Sequence, residues 1–293
     1  MINQQVIIFG EVLFDCFPNG NIVLGGAPFN VAWHLQAFDI SPLFISRIGN
    51  DSYGKMIAQA MEDWEMELTG LQIDAVNPTG VVKVHFVNNE PHYQIVENSA
   101  YDFIAPSPLP PLKNNSILYH GTLAVRNQSS ATTLQQIKTN ISPSIFLDVN
   151  LRYPWWNLKT LEFLLKQTSW LKLNEQELSL IVPQQNGTKN RIEYLFSAYP
   201  LNQITVTQGK AGATSFTPNS INHQISPLKT TSVIDTVGAG DAFSSVLILG
   251  IVKGWEMPKI LTRAQEFASA VVGIQGATTK DKSFYTSFLQ QWN

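Results

Sequence analysis

The chain has 293 residues, 44% of them hydrophobic, and a formal net charge of −3. That length supplies ample core for one large α/β domain or two ordinary ones, and a mildly acidic balance without a Lys/Arg run argues against nucleic-acid binding. A single cysteine, Cys16, excludes an internal disulfide and a Cys-based zinc site.

The N-terminus, MINQQVIIFGEVLF, has neither a basic leader nor a long apolar run, so it does not read as a signal peptide. No uncharged apolar stretch approaches the ~18 residues needed to span a bilayer. The expectation is a soluble, cytoplasmic protein without a membrane partner.

Val6-Ile7-Ile8-Phe9-Gly10 is an apolar run closed by glycine, the pattern of a strand buried on both faces. Residues 11–24 then carry the hairpin chemistry of Pro18-Asn19-Gly20-Asn21. A second hairpin is expected across 77–99, where Val82, Val84 and Phe86 alternate with other residues and Asn88-Asn89-Glu90-Pro91 turn the chain. Helical periodicity appears at 28–38, 54–66, 130–139, 158–168, 188–198 and 258–274, and apolar strands at 43–47, 116–120, 145–149, 169–173 and 203–207. This alternation predicts a parallel sheet covered by helices on both faces. The hairpins belong to no βαβ unit and predict a small β flap. The proline-rich 105–115 reads as a stiff surface connection. No domain boundary is marked, so one domain over 1–293 is expected.

Several strand ends carry candidate chemistry. Gly49-Asn50-Asp51-Ser52-Tyr53-Gly54-Lys55-Met56 fails as a P-loop, because Met56 stands where a hydroxyl must meet Mg²⁺. Gly25-Gly26-Ala27-Pro28-Phe29-Asn30 suits either a turn into a helix or a ligand approaching bare backbone. Leu147 to Arg152 ends a strand where open α/β sheets bind ligands; Arg152 suits a phosphate or a surface ion pair. Asn174 and Glu177 share a helical face and also fit a capping box. Thr207-Gln208-Gly209-Lys210-Ala211-Gly212 is a tight turn or a seat for a flat ring. Gly238-Ala239-Gly240-Asp241 opens a helix: the small residues admit an anion to its free N–H groups, whereas Asp241 alone reads as a cap. The five histidines form no metal cluster and read as structural. Trp155-Trp156 read as cover for a helix start.

Taken in order, GGAPFN, DVNLR, NEQE, TQGKAG and DTVGAGD resemble the ribokinase-like (PfkB) family of carbohydrate kinases, over about residues 5–280. GEVLFD, GGAP and DVNLR are most similar to bacterial fructokinases. The resemblance implies a ribokinase-like three-layer α/β fold whose β-strand lid is formed by 11–24 and 77–99, with dimerisation through that lid. It implies ATP and Mg²⁺ as cosubstrate and cofactor, with a monovalent cation such as K⁺ beside the Asp235 loop. It assigns Asp241 as general base and the Gly238, Ala239 and Gly240 amides as an anion hole. Asp15, Gly26, Asn30 and Arg152 become sugar or phosphate contacts. Asn174 and Glu177 become the NxxE pair, with Glu177 holding Mg²⁺ through water, and Thr207, Gly209 and Gly212 the nucleotide seat. VENSAYDFI lacks the basic residue many fructokinases carry there, which leaves another sugar, a keto-deoxy sugar acid or a nucleoside open as acceptor. A non-catalytic sugar sensor or assembly protein of the same fold is the remaining alternative.

Overall fold

A computed structural model describes residues 4–87, 90–219, 222–226 and 233–292. In chain order, β1 (Val6–Phe9) leads to a hairpin of β2 (Leu13–Cys16) and β3 (Ile22–Gly25), then α1 (Ala27–Ala37), β4 (Leu43–Gly49), α2 (Ser52–Asp63) and β5 (Leu71–Asp74). A second hairpin, β6 (Gly80–Val87) and β7 (Glu90–Ile95), precedes β8 (Ile117–His120), α3 (Gln128–Ile141), β9 (Ser144–Asp148) and α4 (Leu158–Leu165). Next come β10 (Trp170–Asn174), α5 (Glu175–Ile181), α6 (Thr188–Ala198), β11 (Gln203–Thr207), β12 (Ala213–Phe216) and β13 (Asn222–Ile225). Three helices finish the chain: α7 (Ala239–Lys253), α8 (Met257–Val271) and α9 (Lys282–Trp292).

The strands form two sheets. Nine of them lie in the order β13-β12-β11-β10-β9-β8-β1-β4-β5, all parallel from β11 to β5, with β12 and β13 adding an antiparallel edge. β1 shows why a continuous apolar run suits the centre of such a sheet. Val6 and Ile8 pack into the core beneath α1, α7 and α8, while Ile7 and Phe9 face the opposite core with Leu134 and Leu161 of α3 and α4. The expected helix-clad parallel sheet is therefore present.

The second sheet, β3-β2-β6-β7, is the lid, made from the two hairpins. Its turn at Pro18–Asn21 closes as expected, Gly20 adopting φ 85° and donating its N–H to Phe17 O at 3.0 Å. The Asn88-Asn89 turn lies outside the described residues. Between the hairpins, the failed P-loop serves structure: Asp51 caps α2 by accepting from the Gly54 N–H and also binds Thr79. Among the described residues, no helix is long and apolar enough to cross a membrane.

Candidate active site

A parallel sheet aims the C-terminal ends of its strands to one side, and loops there receive ligands. Here those ends, the lid and the start of α7 enclose a cavity of about 670 Å³. The turn after β1 contributes Glu11, β9 Asp148, β10 Asn174, and β11 Thr207; the lid contributes Asp15 and Tyr93.

α7 supplies the chemistry. Gly238, its first flanking residue, adopts φ 79°, and an added Cβ would lie 2.3 Å from Ala277 Cβ, so only glycine fits. No side chain caps this helix start. Gly238 and Gly240 lie on the cavity wall beside Asp241; Ala239 between them does not. The helix thus opens into the cleft with its Ala239 N–H held only by a long 3.5 Å bond to Thr236 O, the arrangement that favours an anion.

Asp241 does not cap its helix. Its carboxylate turns aside and accepts a 2.8 Å hydrogen bond from the Asn30 Nδ2 amide. Burial pushes its pKa up to about 6, opposed by that hydrogen bond and by the charges of Lys172 and Arg152. The helix-cap reading of this residue is therefore overturned. A half-buried carboxylate poised just below neutrality, at a cavity wall, is suited to taking a proton.

Asn30 reaches Asp241 because α1 begins at Gly26, where φ is 110° and an added Cβ would stand 2.6 Å from the Glu11 carbonyl oxygen. Asp15, on β2, is raised to about 6, chiefly by burial. Arg152 lines the cavity and, among the described residues, makes no ion pair or hydrogen bond that would support the surface-bridge reading.

At the far end the capping-box reading of Asn174 and Glu177 holds: Asn174 Oδ1 accepts from the Glu177 N–H at 2.9 Å, and Glu177 Oε2 from the Asn174 N–H at 2.8 Å. Glu177 Oε1 also accepts from the Leu151 N–H at 2.8 Å, tying α5 to the loop that carries Arg152. Both residues nonetheless line the cavity, as do Thr207 and Gly209. Gly212 does not. At φ 91°, with Ile225 O only 2.0 Å from an added Cβ, it lets the β13 backbone approach closely. The expected tight turn is also present, Gln208 donating its N–H to Gly212 O.

Three charged residues of this region carried no role in the sequence reading. Lys172, buried on β10, binds both oxygens of buried Asp148 at 3.0 and 3.1 Å, and its Nζ would lie 3.1 Å from a Cβ at Gly240. A lysine flanked by Leu171 and Leu173 on an apolar strand was the available signal, since a buried ammonium requires a partner. Glu11, directly after the apolar β1, carried the same signal. Arg126 packs against VENSAYDFI without lining the cavity. It pairs with Asp102 through two 2.8 Å bonds, donates to Val96 O, and stacks on Trp155 at 4.5 Å. Of the histidines, His34 is buried and bonded to the Tyr285 hydroxyl, and burial lowers its pKa to about 3.

The chain is similar to known proteins in sequence and in fold. Fructokinase from Klebsiella pneumoniae is 27% identical over 265 residues, 85% of each chain, and Escherichia coli fructokinase is 26% identical over 95% of this chain and 96% of its own. The fold matches crystal structures of Vibrio cholerae fructokinase (TM-score 0.84, 22% identity, 97% and 98% of the two chains) and of aminoimidazole riboside kinase from Salmonella enterica (TM-score 0.83, 21% identity, 98% and 99%). These likenesses show the expected ribokinase-like fold. The pattern of the pfkB family carbohydrate kinases matches residues 13–283, nearly the whole chain and the cleft's strand ends from β9 onward, and the protein therefore belongs to that family of sugar kinases.

Proposed function

We propose that this protein transfers the terminal phosphoryl group of ATP to a hydroxyl of a free sugar, with fructose as the acceptor. The observation that carries the reading is the uncapped start of α7, opening into the cleft beside a half-buried carboxylate that is raised to about 6 and held by Asn30.

Phosphoryl transfer requires positioning and charge neutralisation more than covalent chemistry. The sugar hydroxyl must lose its proton as the new P–O bond forms, and Asp241 is the base that takes it. Charge develops on the phosphoryl oxygens, where the Gly238, Ala239 and Gly240 amides at the helix start meet it. Asp15, Gly26, Asn30 and Arg152 hold the acceptor end; Thr207 and Gly209 lie at the nucleotide end. The lid excludes water, so that the phosphoryl group goes to the sugar rather than to hydrolysis.

Glu177 fits a magnesium site of the water-mediated kind. Each of its oxygens already accepts one backbone N–H, which fixes the carboxylate yet leaves lone pairs for ordered water. Asn174 acts through Glu177 by capping its turn. Bound there, Mg²⁺ supplies charge neutralisation on the phosphate chain. Solved neighbours carry fructose, ADP and calcium, fructose, ADP and potassium, or ATP and Mg²⁺, which supports the same use here, with K⁺ beside the Asp235 loop. Asp235 itself accepts from the Val237 and Gly276 N–H groups, which holds that loop against the helix start. A cytoplasmic homodimer joined through the lid belongs to the same reading.

The test is ADP release with MgATP on fructose, glucose, mannose, ribose, 2-keto-3-deoxygluconate and adenosine, with Asp241→Asn in parallel. Turnover is expected on fructose, reduced ~10²–10⁴-fold in the variant, the usual contribution of a positioned base. The Asn side chain keeps an acceptor for the Asn30 amide, so sugar and nucleotide binding are expected to persist. Silence on every acceptor would overturn the kinase reading, and near-normal turnover of the variant would remove Asp241 from the mechanism.

A further inference from the structure

Glu11 sits two residues beyond β1, 3% exposed, on the wall of the cleft. Its Oε2 is buried and has no hydrogen-bond partner. Buried polar atoms nearly always find a partner, because an unmet one loses its hydration without return. The Oδ1 of Asn30, on the same cavity wall, is likewise buried and unmet. Both vacancies are acceptors, so the missing groups are donors.

We propose that Glu11 is an acceptor-binding residue, whose carboxylate receives a sugar hydroxyl and helps to select a neutral polyol. The inference rests on the kinase reading above and deepens it. A phosphorylated or acidic sugar would bring further acceptors to Glu11, Asp15 and Asp241, three carboxyl groups opposed on the cavity wall by Arg152 and by Lys172, which is already engaged by Asp148. A free sugar brings hydroxyl donors. Leu13, Val82, Ile95 and Leu123 line the same cavity and suit the C–H faces of a sugar. Burial raises the Glu11 carboxyl to about 7, with Arg152 and Arg126 opposing the rise and Asp241 adding to it. A donated hydroxyl would favour its ionised form.

The competing account is purely structural. Arg126 Nη1 is also buried and unmet, and its charge acts on Glu11. A water held between the two would make Glu11 a brace for Arg126 and leave the sugar untouched.

A cycle between residue and substrate separates these accounts. Wild type, Glu11→Leu and Glu11→Gln are assayed for kcat/KM on the sugar turned over in the panel and on its monodeoxy analogues. Wild type is expected to lose 10–100-fold on the one analogue lacking the partner hydroxyl, the range for a hydrogen bond to a charged group. Glu11→Leu should lose less than about twofold on that analogue, its partner being absent already. Glu11→Gln keeps an acceptor and should show an intermediate loss, which serves if the Leu variant fails to fold; MgADP affinity by calorimetry reports folding independently of sugar. Equal losses for wild type and both variants on every analogue would overturn the inference while leaving the kinase reading intact. A wild-type enzyme silent on the whole panel would overturn both.

Discussion

Helices α5 and α7 both begin at the edge of the cleft, and both carry an acidic residue at the third helical position. At α5 the acid folds back on its own chain: Glu177 binds the Asn174 N–H, Asn174 binds the Glu177 N–H, and the helix start is satisfied from within. At α7 the acid leaves its helix. Asp241 reaches Asn30, 211 residues earlier in the chain, and the helix start remains open. Asn174 precedes α5 and can cap it; Gly238 precedes α7 and has no side chain with which to do so. Similar local sequence thus gives a closed end that fixes a carboxylate in place and an open end that offers amides to a ligand.

The largest departure should come from disturbing the open end. Gly238→Ala forces φ 79° on an L-residue and drives its Cβ into Ala277. The helix start must shift, and a ~10²–10³-fold fall in kcat is expected, comparable to loss of one oxyanion donor. Gly187 is the control. It too stands before a helix, α6, at φ 79°, but an added Cβ there meets nothing within 4 Å. Gly187→Ala should cost about 1–3 kcal/mol of stability through backbone strain, read by denaturant titration, and leave kcat unchanged. Equal kinetic losses in the two variants would mean that strain, rather than the anion hole, governs the effect.

This contrast also marks what the sequence could reveal. Strands buried on both faces, such as VIIF of β1, announce themselves because burial demands an unbroken apolar run, and amphipathic helices carry their period on the surface. The antiparallel edge strands β12 (ATSF) and β13 (NHQI) went unread, since an edge needs fewer apolar residues and NHQI alternates exposure without strong hydrophobicity. The final helix α9 was missed for a related reason: only Tyr285 and Trp292 of its eleven residues are buried. In the cleft, Asp241, Asn30 and Glu177 stood in motifs. Lys172 and Arg126 did not, Glu11 stood in GEVLFD without a role, and their partners lie 24 or more residues away or are absent from the protein altogether. Gly212 went the other way: a glycine within a motif was needed for close approach of backbone, which no spacing discloses.

A smaller effect is expected at the contact that draws Asp241 from its helix. The Asn30 amide stabilises the ionised carboxylate, so Asn30→Ala should raise the Asp241 pKa above about 6. The base works only when ionised, and activity is lost as pH falls through that pKa. The acid limb of kcat/KM should therefore move to higher pH in the variant, by roughly one unit for a lost hydrogen bond of ~1.4 kcal/mol. Asp15 and Glu11 titrate in the same cleft at about 6 and about 7, so the wild-type limb belongs to the coupled group and the difference between the two profiles is the informative quantity. An unmoved limb would show that Asn30 does not tune the base.

The smallest effect belongs to the closed end. Asn174→Ala removes the side chain that accepts from the Glu177 N–H, and loss of such a cap costs about 1 kcal/mol. Asn174→Ser should recover most of that, because serine caps nearly as well. If position 174 serves the reaction by fixing the turn that carries Glu177, the KM for MgATP should follow stability across the three proteins: raised in the Ala variant, close to wild type in the Ser variant. A Ser variant as stable as wild type, yet with KM raised tenfold, would show instead that the Asn174 amide itself meets the nucleotide. The closed end would then be a binding group as well as a brace, and the division between the two helix starts would narrow to the direction in which each acid points.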